Sequence, residues 1–296
     1  MSFVVVWGMR LKMKTPTLLA GLLAGFPGIA AVSQGAPAAA QGAPAPAAMA
    51  PAPSPGGTGA PDYTAWGDLL ARYYDPARGM KYKDLKEKEA KTLADLRSRL
   101  AAVDVAALPR NDQLAYWINL YNIGTVSTVV ENYPVNSIRD ISTDPIIRLN
   151  VFKKPRVKVR GGQLSLNDIE NDKIRAAFKD PRIHFAINCA AVSCPPIRPE
   201  PYVGSRVGEQ LDDQARKFLN DPVRGVKIEP DGGGVVIHVT KVMDWFGDDF
   251  NKWGGGQVAF IRKYVTPDKQ KAIDAAKGKV KLDFYPYDWK LNDASK

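Results

Sequence analysis

The sequence predicts one α+β domain, with helices first and short, mainly antiparallel strands interleaved with helices later. Three observations predict it. Apolar residues recur at helical spacing through residues 63–130. Two glycine turns, Gly161-Gly162 and Asp231-Gly232, each separate a pair of short strand-like segments. No regular strand–helix–strand alternation appears, which argues against a doubly wound parallel sheet.

The domain is not expected to begin at the N-terminus. Residues 1–61 contain no acidic residue, and Asp62 is the first. Arg10, Lys12 and Lys14 precede the apolar run "TPTLLAGLLAGFPGIAAV", and small residues follow. These are the three parts of a secretory signal, expected over residues 1–35 with cleavage near 31–36. A start at Met9 or Met13 would give a conventional n-region. Gly21, Gly25, Pro27 and Gly28 dilute the run, which barely reaches the roughly 20 apolar residues of a membrane span. No cysteine lies nearby, so a lipoprotein is excluded. Residues 36–61, "APAAAQGAPAPAAMAPAPSPGGTGAP", are uncharged and without hydrophobic period, as in a disordered linker. The folded domain is expected over 62–296, in a periplasmic or secreted protein.

Removing the three N-terminal cations from the formal +10 leaves about +7. A basic exported domain suits an anionic cell-envelope polymer or an envelope protein as partner, rather than nucleic acid. No stable membrane span is expected once the signal is cleaved, and no cofactor or metal ligand spacing is present. No P-loop, dinucleotide fingerprint, zincin or nucleophile-elbow motif occurs.

In order, "YTAWGDLLARYYD" predicts a short helix and "YKDLKEKEAKTLADLRSRLAAVDVAAL" a longer one. Leu85, Leu93, Leu96, Leu100 and Val103 form the apolar stripe of the second. "PRNDQLAYWINLYNIGTVSTVVENYP" carries no charge from Gln113 to Val130. Its amides and hydroxyls argue for a core helix rather than a span. Asn119 and Asn122, three apart, share a face. They either tie a loop down or point into a site. "RVKVRGGQLSL" predicts a hairpin, with Ser165 or Asn167 capping the helix that follows. "RIHFAINC" predicts a strand and "GSRVGEQLDDQARKFLNDP" a helix. "GVKIEPDGGGVVIHVT" predicts a second hairpin. "KVMDWFGDDFNKW" and "QVAFIRKYVTPDKQKAIDAAK" are helical, and "KVKLDFYPYDW" is a strand with an aromatic tail. Trp245, Phe246, Phe250, Trp253 and Tyr264 read as core. Asp244, Asp248 and Asp249 read as solvent-facing or lysine-paired. His238 reads as an exposed hairpin residue.

The chemistry concentrates in "RIHFAINCAAVSCPP", which holds both cysteines. On a regular strand His184 and Cys189 lie on opposite faces, about 16 Å apart at ~3.3 Å per residue, and cannot form a dyad. Cys194 sits in a loop and can fold back to His184 or to Cys189. Pro195 holds Cys194 in extended backbone, so activation of its thiol would fall to His184, Arg182 or Arg198. A Cys189–Cys194 disulfide needs Cα atoms within about 7 Å and would stabilise by about 2 kcal/mol.

Together "YWINLYN", "LSLNDIE", "DPRIHFAINCAAVSCPP", "KVMDWFGDDF" and "YDWKLN", in this order, resemble the domain of unknown function family 547. The resemblance covers residues 110–292. It implies a fold and a site region, not a reaction. The family's shared polar positions fall on Asn119, Asn122, Glu170, His184, Cys189, Cys194 and Asp288. Where many members carry a histidine after Ile-Glu, this chain has Asn171, so a mechanism needing a histidine there is in doubt. The expected function is a cysteine-dependent acyl hydrolase or transferase of the cell envelope. In it Cys194 is the nucleophile and His184 the base, Glu170 or Asn119 orients the histidine or binds the oxyanion, and Asn122, Arg182 and Arg198 bind. The alternative is a non-catalytic binding or structural module with a Cys189–Cys194 disulfide.

Overall fold

The computed structural model describes residues 59–141 and 150–296. The expected signal peptide and nearly all of the linker lie outside them. Helix α1 (Thr64–Tyr73) leads into a two-residue hairpin, β1 (Tyr74–Asp75) and β2 (Gly79–Met80). The long helix expected next breaks at Glu89 into α2 (Tyr82–Lys88) and α3 (Ala90–Ala101). The Glu89 carboxylate accepts from Arg72 and from the Tyr73 hydroxyl, so it holds the break against α1. Leu85, Leu93, Leu96 and Leu100 are buried, as their spacing predicts.

Helix α4 (Arg110–Asn132) is the axis of the core. Every residue from Leu114 to Val130 is buried, which explains its lack of charge. A helix buried all round must satisfy its polar side chains internally. Thr128 does so by donating to the Gly124 carbonyl, and Asn119 and Asn122 by clipping other backbone segments. Among the described residues no helix is long and apolar enough to cross a membrane.

The hairpin β3 (Val157–Val159) and β4 (Gly162–Leu164) follows as expected. Ser165 then caps the next helix in a reciprocal box with Asp168. That helix runs α5 (Leu166–Asp168), a π-helical stretch Ile169–Arg175, and α6 (Ala176–Phe178). Helix α7 (Val207–Leu219) packs beside α4. Strands β5 (Lys227–Asp231) and β6 (Gly234–Val239) form the second hairpin. β7 (Val280–Phe284) joins β6 in parallel, completing the largest sheet. Four helices lie between β6 and β7: α8 (Lys241–Trp245), α9 (Gly247–Lys252), α10 (Gly256–Tyr264) and α11 (Pro267–Ala275). The fold is α+β, and residues 58–296 form one compact unit.

Two expectations need correction. "RIHFAINC" is not a strand. Pro181–Phe185 is a 3-10 helix, started by Pro181 and capped by the Asp180 side chain accepting from the Arg182 N–H. The strand-parity argument against a His184–Cys189 pair therefore does not apply. The aromatic set is also only partly core. Phe246, Phe250 and Tyr264 are buried, whereas Trp245 and Trp253 are half-exposed.

Candidate functional site

The cysteine segment is built on α4. Asn122 donates to the Ala186 carbonyl at 2.9 Å and accepts from the Asn188 N–H at 2.8 Å. Asn188 carries the order onward. Its side chain donates to the Pro195 carbonyl at 2.7 Å and accepts from the Ala190 N–H at 2.8 Å. One buried amide thus spans the loop from one side of the cysteines to the other. Between them Ala190 adopts a left-handed backbone, φ 62°, while fully buried. Such a conformation costs an alanine roughly 1–2 kcal/mol. The loop is held in it from outside by the C-terminal tail. Val192 N–H donates to the Lys290 carbonyl, Ser193 N–H to the Asp288 carbonyl, and Asn292 N–H to the Ala190 carbonyl. The Asp288 N–H donates in turn to Ser193 Oγ, and the Asp288 carboxylate accepts from the Lys290 N–H.

This loop brings Cys189 and Cys194 together as free thiols with Sγ atoms 3.0 Å apart. That is closer than unbonded sulfurs usually stand and longer than the roughly 2.05 Å of a disulfide. The two sulfurs are not equivalent. Cys194 Sγ accepts from the Cys189 N–H at 3.0 Å and from the Cys189 S–H. Burial pushes the Cys194 thiol up, but these bonds and one from Tyr287 outweigh it and leave the thiol below its ordinary range. Burial and the neighbouring Cys194 sulfur push Cys189 well up. The pair therefore gives up its first proton at Cys194, with Cys189 as the protonated donor to it. The Tyr287 hydroxyl stands 3.1 Å from Cys189 Sγ. The Tyr287 ring belongs to a half-exposed aromatic cluster, 4.7 Å by ring centroids from each of Trp245 and Trp289.

A second polar cluster adjoins this one. His184 is buried and stacks on Phe246 with centroids 4.0 Å apart. Its Nε2 hydrogen-bonds Asp249 Oδ2 at 2.8 Å, and Arg175 Nε reaches the same oxygen at 2.7 Å. Burial lowers the histidine's pKa more than Asp249 raises it, so the ring is neutral at pH 7. Burial alone would raise the Asp249 carboxyl, but His184 and Arg175 hold it well below the carboxylate range. With Nε2 as donor, Nδ1 is left as an acceptor, without a partner among the described residues.

Glu170, on the π-helical stretch, lies between the clusters in electrostatic terms. It is 1% exposed, and burial pushes its carboxyl up to about 7. Its Oε2 accepts from the Tyr121 hydroxyl at 3.3 Å, while Oε1 has no partner among the described residues. Its charge is felt at Cys194, and both cysteines are felt at Tyr121. A π-helical turn shifts side chains out of α-register and is frequent at functional sites.

The residues expected from sequence separate into three groups. Cys189 and Cys194 are in contact, and Glu170 is hydrogen-bonded to Tyr121. His184 is in the adjoining cluster, hydrogen-bonded to Asp249 rather than to a sulfur. Asn122 holds the cysteine segment itself, and Asn119, Arg182 and Arg198 are committed elsewhere. Asn119 clips the Tyr202 backbone by both its N–H and its carbonyl. Arg182 pairs with Asp180 and Asp212, and Arg198 with Glu200 and Asp213. Asn171 accepts through Oδ1 from Arg175 and donates through Nδ2 to the Asn167 carbonyl. Asp244 pairs with Lys241, as expected of a lysine-paired aspartate, but Asp249 is the partner of His184. His238 bridges Glu229 and Asp283 across the sheet. Sequence reasoning passed over Tyr121, Arg175, Asn188, Asp249 and Tyr287 as site residues. Tyr121 and Asn188 stood inside quoted motifs, and Asp249 in "DWFGDDF". Among the described residues no three histidine, cysteine or acidic side chains gather as a metal site.

Residues 105–219 match the model of a family described as "Protein of unknown function, DUF547". No curated protein and no solved structure matches the chain. The matched residues include Tyr121, Glu170, His184, Asn188 and both cysteines, and leave Asp249 and Tyr287 outside. Residues 105–219 are thus similar to a family whose description assigns it no function.

Proposed function

We propose that the domain is a thiol–disulfide module acting in the periplasm or outside the cell, with Cys194 as the attacking thiolate and Cys189 as the resolving thiol. The observation that carries this reading is the pair itself: two sulfurs 3.0 Å apart, with Cys194 accepting two donors from Cys189. A thiolate is the nucleophile in exchange, and the pair stabilises it at one sulfur only.

In the reaction, Cys194 Sγ attacks one sulfur of a partner's disulfide and the other leaves as a thiolate. Cys189 then loses its proton and attacks Cys194 Sγ, breaking the mixed disulfide. The partner departs with both thiols reduced, and the domain keeps the disulfide. Two electrons pass from the cysteine pair to the partner, and the reverse sequence donates a disulfide. The partner is expected to be an envelope protein. Acyl transfer by Cys194 with His184 as base draws less support, because the hydrogen-bond partners of Cys194 Sγ are Cys189 and Ile187 and His184 is bonded to Asp249. A static staple is the other reading, and it uses the same two sulfurs.

The test is alkylation and redox titration of the purified protein. Cys194 is expected to react with iodoacetamide with a midpoint below the ~8.5 of an ordinary thiol, and Cys189 not to react. Incubation with oxidised glutathione should close a Cys189–Cys194 disulfide that mild reductant reopens. A pair that never closes, or a disulfide that resists mild reductant, would rule out the exchange module, the second result in favour of the staple.

A further inference from the structure

Once Cys194 is joined to a partner, the resolving thiol has to be activated, and one side chain is placed to do it. Among the described residues Cys189 Sγ is hydrogen-bonded to Cys194 Sγ at 3.0 Å and to the Tyr287 hydroxyl at 3.1 Å. The first bond is lost in the mixed disulfide, because Cys194 Sγ is then bonded to the partner and carries no charge. The contact with Tyr287 remains. Its position is built from both sides. The Tyr285 N–H donates to the Val239 carbonyl at 3.0 Å, continuing the pairing of β7 with β6. One residue beyond Tyr287, the Asp288 N–H donates to Ser193 Oγ at 2.8 Å and the Ser193 N–H to the Asp288 carbonyl at 3.2 Å, which ties the tail to the cysteine loop. The ring between these anchors packs against Trp245 and Trp289.

We propose that Tyr287 is a catalytic residue of the exchange reaction, its hydroxyl placing Cys189 and donating to its sulfur as Cys189 becomes the thiolate that closes the disulfide. This rests on the thiol–disulfide reading. A neutral thiol is a weak acceptor, whereas a hydrogen bond to a charged acceptor is roughly twice as strong as a neutral one. A phenol fixed on a thiol therefore contributes most at the moment the sulfur ionises. Atoms and electrons balance. The Cys189 S–H bond breaks and the Cys189–Cys194 S–S bond forms. The bond from Cys194 to the partner's sulfur breaks, and its electron pair leaves with that sulfur. The proton that Cys189 loses is matched by the one the departing thiolate takes up. The reverse reaction opens the disulfide at Cys189, and the same hydroxyl donates to the thiolate formed there.

The other titratable groups around Cys189 do not compete for this role. Tyr82 bears on it from α2, Tyr121 from α4 and Tyr287 from the tail, with Cys194 on its own loop. The Tyr82 hydroxyl donates to Asn292 Oδ1 and the Tyr121 hydroxyl to Glu170 Oε2, whereas the Tyr287 hydroxyl is on the sulfur. Burial pushes all three phenols well up, so they keep their protons where thiols titrate. Tyr287 thus stays a donor to the sulfur rather than becoming a second anion beside it.

The experiment follows the two steps of exchange separately in the full chain. Oxidised glutathione is the probe, and acid-quenched samples are resolved by mass into mixed disulfide and closed form. Conversion of the mixed disulfide to the closed form does not depend on glutathione concentration, and it reports Cys189. Tyr287→Phe keeps the ring and removes the hydroxyl. It should slow this conversion roughly tenfold or more at pH 7, the loss expected for a hydrogen bond to a charged group. It should also move the pH midpoint of closure upward and leave the rate at high pH close to wild type. A residue that only supported the loop would lower the rate at every pH and leave the midpoint in place. A ring-fluorinated tyrosine at position 287 has nearly the same shape and is a stronger donor, so it should move the midpoint downward. A folded Tyr287→Phe with the wild-type midpoint overturns the proposal. So does the fluorinated protein with the wild-type midpoint, even if Tyr287→Phe fails to fold. A wild type in which no mixed disulfide closes at any pH removes the thiol–disulfide reading, and this proposal with it. That outcome is distinct from a pair that closes without regard to position 287.

Discussion

At the scale of the residue, the decisive asymmetry is between two chemically identical side chains. Cys189 and Cys194 differ because one offers its N–H and S–H and the other receives both. Tyr287 adds a third donor to the pair. Hydrogen bonds to a charged group are worth about 1.5–3 kcal/mol, and one pKa unit is about 1.4 kcal/mol. Tyr287→Phe is therefore expected to raise the Cys194 thiol pKa and slow its alkylation at pH 7 several-fold. The pH–rate curve of iodoacetamide labelling measures this, and a curve unchanged from wild type would remove Tyr287 from the thiolate's support. The two cysteines and Glu170 were legible in the sequence, because residue types that carry chemistry stand out in short motifs. Tyr287, Tyr121 and Asp249 were less legible. A tyrosine or aspartate in an aromatic segment is usually packing or surface, and only tertiary placement turns it toward a sulfur or an imidazole.

At the scale of the element, α4 is a scaffold that also acts as a template. Its two asparagines do not face a ligand. Each grips another backbone by donor and acceptor together, Asn119 at Tyr202 and Asn122 at Ala186 and Asn188. Asn122→Ala would strand a buried carbonyl and a buried N–H. At about 1–3 kcal/mol for each group left unsatisfied, a loss of roughly 2–6 kcal/mol is expected. Urea unfolding measures it, and a loss under 1 kcal/mol would mean the loop holds its shape without α4. Most helices and both hairpins were readable from period and turn residues. The cysteine approach was not, and the reason is physical. Residues 183–191 are all buried, so the apolar pattern has no exposed face from which to read a period of two. The signal that was present is Asp180-Pro181, a capping side chain followed by proline at the first helical position. The π-helical stretch left no trace in sequence, since its residues are those of an ordinary amphipathic helix.

At the scale of the whole molecule, the buried ionisable groups act on stability in opposite directions. Glu170 has a folded pKa of about 7 against an ordinary 4.5. The native state therefore holds a proton that the unfolded chain has already lost, and stability from this group falls as pH rises from about 4.5 through 7. His184 has a lowered pKa, so the native state refuses a proton that the unfolded chain takes. Its contribution is intact above 6.5 and is lost as pH falls below that value. Asp249 acts the same way at lower pH, being held ionised by His184 and Arg175. Glu170→Gln removes only the alkaline penalty. Its stability relative to wild type should improve between pH 4.5 and 8 by about 3 kcal/mol. Paired denaturation curves at the two pH values measure the change, and equal offsets at both would place the Glu170 carboxyl near its solution value. The α+β class was legible because it depends on the order of many elements. The joining of β7 to β6 in parallel was not, because it pairs segments separated by four helices.

The tail that closes over the cysteine loop sets a schedule. Ser193 and Asp288 are 95 residues apart in the chain, yet each donates a backbone N–H to the other. Gly79 accepts the tail as well, for an added side chain there would meet the Asn292 carbonyl oxygen at 2.0 Å. During synthesis both thiols exist long before the segment that buries them. Throughout that interval they are open to whatever oxidant or catalyst the nascent chain meets, and the arrival of residues 288–292 ends it. Once the tail has arrived, any exchange with the folded protein must reach Cys194 past residues 288–292, so the tail sets how readily the pair can change its redox state.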